Sequence, residues 1–102
     1  MLIHNVYFWL KADVSENDLK DFEKGLETLV NAVPQIVKGE YGKAAVTEDR
    51  EVVDNTFGYS LFLWFENLED HNTYQVHEAH DKFISDHSSL WSKVRVRDSY
   101  SL

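Results

Sequence analysis

Apolar and polar positions alternate from the first residues. Residues 2–11 read as a strand by their β-branched and aromatic content. One face carries His4, Val6, Phe8 and Leu10, the other Ile3, Asn5, Tyr7 and Trp9, so both faces are substantially apolar. Ser15, with Asp18 three residues on, is an N-cap signal. Leu19, Phe22, Leu26, Leu29, Val30 and Val33 then recur at helical spacing, and Pro34 stops the run. The pattern predicts a helix over 16–32 whose apolar stripe needs a sheet to cover.

Residues 36–46 read as a second, less regular strand, in which Gly39 and Gly42 suggest a bulge or a close backbone approach. A polar loop follows over 47–56. The third strand, 57–66, places Phe57, Tyr59, Leu61, Leu63 and Phe65 on one face and Ser60, Phe62 and Trp64 on the other. Asn67 can cap a short helix to about residue 76. A second helical piece over 79–89 is anchored by Phe83 and Ile84, and residues 91–98 alternate as a last strand.

The order β-α-β-β-α-β predicts an α+β, ferredoxin-like split βαβ fold, with helices on one face of a four-stranded antiparallel sheet. The other face then presents Tyr7, Trp9, Phe62 and Trp64. An open apolar patch of that kind marks an interface, so two such sheets packed face to face predict a homodimeric α/β barrel. The competing cover is the C-terminal tail or the polar loop.

The chain has 102 residues, which suits a single domain over 1–102. It is 43% hydrophobic and 14% aromatic, much apolar surface for so small a body, and that favours a partner. The net charge of −8 repels phosphate backbones and anionic lipid, so neither nucleic acid nor membrane is expected as a partner. With no cysteine there is no thiol or disulfide chemistry. No signal or spanning segment is visible, and a cytoplasmic location is the default expectation.

Four of the five histidines, His71, His77, His80 and His87, fall within residues 71–87; the fifth is His4. Histidine serves as acid, base or metal ligand near neutral pH. Tyr74, His77 and His80 are spaced three and three, which matches no recognised zinc pattern, so no metal site is expected. On an unbroken helix the three would fan out, stepping by about 60°; a break could turn them toward one pocket. His4 shares a strand face with Val6 and Phe8 and points to the helix-covered side. A pocket there would collect His4, Tyr59, Tyr74, His77 and His80 between walls from Phe22, Leu26, Leu61 and Phe83, the usual character of a small-molecule site. Each of these polar residues alone could equally be a satisfied core residue. His71 and His87 fall to the surface or helix ends.

The string Tyr74-Gln75-Val76-His77-Glu78-Ala79-His80 resembles the Y-x-x-H-P-x-H signature of the stress-responsive dimeric α/β barrel (Dabb) family. Ile3-His4-Asn5-Val6 with Phe8, Leu29-Val30-Asn31 before Pro34, Phe65-Glu66 and Trp91 fit it more loosely, and the likeness covers nearly the whole chain. The resemblance implies a homodimeric barrel that binds a small apolar or carbonyl-containing molecule without a cofactor. It also implies an alternative, a cofactor-free polyketide cyclase or lyase. By analogy with a plant cyclase of the family, His80 would then be the general base and Tyr74 the orienting residue, with His4 in the pocket. Glu78 stands where the family usually has proline, Tyr59 where many members have histidine, and Leu26 where that cyclase has a pocket tyrosine.

Overall fold

The structure is a computed structural model that describes residues 1–102. The elements are β1 (Leu2–Leu10), α1 (Glu16–Ala32), β2 (Lys38–Lys43), β3 (Tyr59–Phe65), α2 (Leu68–Gln75), α3 (Glu78–His87) and β4 (Trp91–Tyr100), with a 3₁₀ turn over Ser88–Leu90 before β4. The strands form one sheet in the order β2-β3-β1-β4, every neighbouring pair antiparallel. This is the ferredoxin-like α+β fold.

Local chemistry starts each helix where the sequence predicts. The Ser15 hydroxyl accepts from the Asp18 N–H at 3.1 Å, and the Ser15 N–H donates to the Asp18 carboxylate at 3.2 Å, a reciprocal cap for α1. Asn67 caps α2 in one direction only, its side-chain oxygen accepting from the Asp70 N–H at 2.8 Å. The stripe of α1 buries Phe22, Leu26 and Leu29 against the sheet face that carries Leu2, His4, Val6, Phe8, Tyr59, Leu61, Leu63 and Phe65. The body is only 17 Å deep along its shortest axis, one helix layer on one sheet layer. No helix is long and apolar enough to cross a membrane.

Three local expectations need correction. β2 is shorter than 36–46 and pairs with β3 without a bulge. Of its glycines only Gly39 answers to a close approach: a Cβ there would lie 2.6 Å from a Val30 methyl of α1, while Gly42 faces open space. The sheet's irregularity sits instead in β1, where the register with β4 shifts between Trp9 and Leu10. Phe57 does not share the face of Tyr59. A bend at Gly58 precedes β3, so alternation cannot be counted back through it, and the Phe57 ring packs on Tyr7 at 5.0 Å and Trp9 at 6.2 Å on the open face.

That open face carries half-buried Tyr7, Trp9, Phe62 and Trp64. Lysines rim it: the Lys93 ammonium lies 4.3 Å from the Trp9 ring and that of Lys38 lies 4.9 Å from the Trp64 ring. The polar loop reaches its Trp9 end, where the indole N–H donates to the Thr56 hydroxyl at 2.9 Å. Val52, Asp54 and Phe57 there help wall a hollow of about 500 Å³.

Candidate functional site

A break between α2 and α3 builds the site. α2 stops at Gln75 and α3 starts at Glu78. His77 is the N-cap of α3, its Nδ1 accepting from the Ala79 N–H at 3.0 Å. A capping side chain satisfies an otherwise orphaned N–H and fixes where a helix starts, so the break persists with Glu78 where proline is usual. The turn brings Tyr74 and His80 together, their ring centroids 4.9 Å apart. His4 lies on the far side of Tyr74, ring centroids 5.8 Å apart.

These three rings share a cavity of about 240 Å³ between sheet and helices. Its remaining walls are mostly apolar: Val6 and Phe8 of β1, Leu61 of β3, Phe83 and Ile84 of α3, and Trp91, Val94 and Val96 of β4, with Gln75 at one side. The volume lies just below the roughly 300–1,000 Å³ usual for drug-sized ligands, so it fits a single ring or a short chain. Burial pushes the His80 imidazole below its ordinary pKa, with Asp81 acting weakly the other way. Its Nδ1 is buried and has no hydrogen-bond partner in the protein. Burial also raises the Tyr74 hydroxyl above the usual phenol value. At neutral pH the pair therefore offers an uncharged imidazole and an O–H donor side by side.

A second group adjoins the cavity at His4. The β1–β4 register sets Asp98 opposite His4, and the His4 Nδ1 lies 2.6 Å from an Asp98 carboxylate oxygen. Burial lowers the His4 pKa, and the hydrogen bond and charge of Asp98 offset part of that. His71 of α2 sets its ring 4.9 Å from that of His4 and 5.6 Å from Phe65. His71 is therefore half-buried against the site rather than a surface residue.

Of the nine residues expected in the pocket, the structure gathers His4, Leu61, Tyr74, His80 and Phe83 around the cavity. Tyr59 lies elsewhere: its hydroxyl donates to Glu23, which also pairs with Lys43 at 3.4 Å. Burial and that carboxylate raise the Tyr59 pKa. His77 is occupied as a cap. Phe22 and Leu26 sit one layer back in the core, Phe22 packing on Phe8 at 5.2 Å behind the wall. His87 does end α3, but half-buried on Gly25, where a Cβ would fall 2.2 Å from its ring. Asp98, Val94 and Val96 join the site from β4 without having been expected there. The alternation of the last strand carries their signal, since the three share a face.

Fold and site together define a small ferredoxin-like α/β domain with a tyrosine–histidine cavity under its helices. The chain belongs to the Stress responsive A/B Barrel Domain family (Dabb), whose model matches residues 2–101. It is similar to olivetolic acid cyclase of Cannabis sativa, 25% identical over 95 residues that span 93% of this chain and 91% of that one. Among solved structures it is similar to the Arabidopsis thaliana protein At3g17210, with a TM-score of 0.84 and 24% identity over 100% of this chain and 96% of that one. A hydroxynitrile lyase from Passiflora edulis shares the fold at a TM-score of 0.82 and 16% identity, covering 99% of this chain and 93% of that one. So does a dimeric ferredoxin-like protein of unknown function from Thermobifida fusca, at 0.79 and 14%, covering 99% of this chain and 90% of that one.

Proposed function

We propose that the protein is a homodimer in which each subunit binds a small, largely apolar, carbonyl-containing molecule in the cavity beneath α2 and α3. The observation that carries the binding site is the unpartnered His80 Nδ1 beside Tyr74 in an otherwise apolar hollow. A buried polar atom without a partner costs roughly 1–3 kcal/mol, and a ligand with one polar end relieves that cost. The reading needs no metal or organic cofactor.

The dimer rests on the open sheet face. The accessible surface is 6754 Å², about 800 Å² above the roughly 5,950 Å² expected of a compact monomer of 11.9 kDa. That excess belongs to a flat body with one sheet face uncovered, the shape that a face-to-face pair would close. Dimeric relatives of the same fold point the same way.

A second reading makes the site catalytic, favoured by the uncharged, desolvated state of His80. With a substrate carbonyl hydrogen-bonded by the Tyr74 hydroxyl, the His80 imidazole takes a proton from the adjacent carbon. The electron pair moves onto the carbonyl oxygen as an enolate, which then attacks a second carbonyl or collapses with loss of a leaving group. A cyclase and a lyase among the similar proteins make a reaction of this class a reasonable search target.

Benzoylacetone, a single-ring 1,3-diketone, is a suitable probe. Titrated into the purified protein, it shifts the side-chain NMR signals of His80 and Trp91 saturably and leaves those of Trp64 and His87 in place. No shift at His80 and Trp91 at millimolar probe, with the protein folded, would sink the binding site.

A further inference from the structure

We propose that His4, His71 and Asp98 form a binding site for a divalent transition-metal ion of the zinc or cobalt type. The three residues come from β1, α2 and β4, and their donor atoms all lie within 4.8 Å of one another. Two imidazoles and one carboxylate make a borderline donor set that suits such ions better than magnesium or calcium. Three protein ligands with a fourth position left to water is a common zinc arrangement.

The geometry is close to what an ion requires. Bonds of about 2.0–2.1 Å in a tetrahedral site set donors about 3.3 Å apart. His4 is fixed by burial, its side chain only 4% exposed, whereas that of Asp98 is 44% exposed and held by its contact with His4. The His71 ring nitrogens are held only by its helix neighbours, Asn72 at 3.0 Å and Gln75 at 3.4 Å. Both partners are neighbours on α2, so neither ties His71 to another element. Asp98 sits 2.6 Å from the His4 nitrogen, so an ion replaces the proton between them, the pair opens to about 3.3 Å, and the His71 donor closes in from within 4.8 Å. The net charge of −8 raises the local concentration of cations around the protein.

His71 distinguishes this cluster from an ordinary buried histidine–carboxylate pair, which needs no third donor. The proposal is also separate from the acid–base reading: the ion depends on His71 and Asp98, the proton transfer on His80 and Tyr74.

The test is titration of the purified protein with Co²⁺, read by visible absorption, and with Zn²⁺, read by calorimetry. The expected result is one ion per chain and the intense visible band of tetrahedral cobalt. Both are lost in His71→Phe, which keeps the ring packing on His4, and in Asp98→Asn, which keeps the side chain's shape. Both persist in His80→Gln. Three results would overturn the proposal: no saturable binding by the wild type, undiminished stoichiometry in folded His71→Phe, or loss of binding in His80→Gln, which would move the ion to the break between α2 and α3.

Discussion

On the catalytic reading, replacing His80 with glutamine leaves the fold intact and lowers turnover of a carbonyl substrate by about 10²–10⁴-fold, the usual worth of a positioned general base. Glutamine is close to histidine in size, so the cavity keeps its walls, but it cannot accept a proton. Tyr74→Phe costs about 10²–10³-fold, because it removes one donor to the oxygen on which charge develops. The pH dependence separates this role from a structural one. The base must be unprotonated to act, and burial holds His80 below its ordinary value of about 6.5. In the wild type kcat/KM is therefore flat at neutral pH and falls only below the His80 pKa, on the acid side of 6.5. In His80→Gln this acid limb disappears from the residual rate. A variant that keeps the limb and most of the turnover would remove His80 from the chemistry.

Phe62→Asp combined with Trp64→Asp converts the dimer to a folded monomer. Both side chains lie on the open face, Phe62 opposite Asn5 and Glu40, Trp64 opposite Ile3 and Lys38. Their neighbours Leu61 and Leu63 point the other way and are almost fully buried, so the core is untouched. A central aromatic anchor is worth about 2 kcal/mol or more. A two-fold interface loses four of them at once and gains four carboxylates between subunits that each already carry −8. Light scattering then gives the monomer mass at micromolar concentration while the far-UV circular dichroism is retained. A wild type that is already monomeric contradicts the interface, and a dimer that survives both substitutions moves it elsewhere.

What the chain's pattern reveals and what it hides divide along physical lines. Strict alternation in β1 and β3 places His4 on the helix side and Trp9 and Trp64 on the open side. The 3.6-residue spacing of Phe22, Leu26 and Leu29 defines α1 with its cap. Within paired strands and a long amphipathic helix, local geometry determines which way each side chain faces. The errors cluster where that rule lapses. Phe57 precedes a bend, so its parity with Tyr59 means nothing. α2 has eight residues and little amphipathic contrast, so nothing in its sequence says that His71 turns inward. His77 follows the spacing of Tyr74 and His80 but falls in the break, where it is spent on a backbone N–H. Tyr59 and Asp98 show the other limit. Their partners, Glu23 and His4, lie 36 and 94 residues away, and only tertiary packing and strand register bring them together. The motif string pointed to Tyr74 and His80, which the helix break brings side by side; the β4 part of the cavity wall, Trp91, Val94 and Val96, depends on a register with β1 that no local pattern carries.

The most direct measurement of the account is a crystal structure of the protein with benzoylacetone bound. It should show the diketone under α2 and α3, an oxygen within hydrogen-bond distance of the Tyr74 hydroxyl and the His80 ring beside it. Benzoylacetone seated instead in the hollow between Tyr7, Phe57 and Phe62, with the Tyr74–His80 space filled by closed side chains, would contradict it.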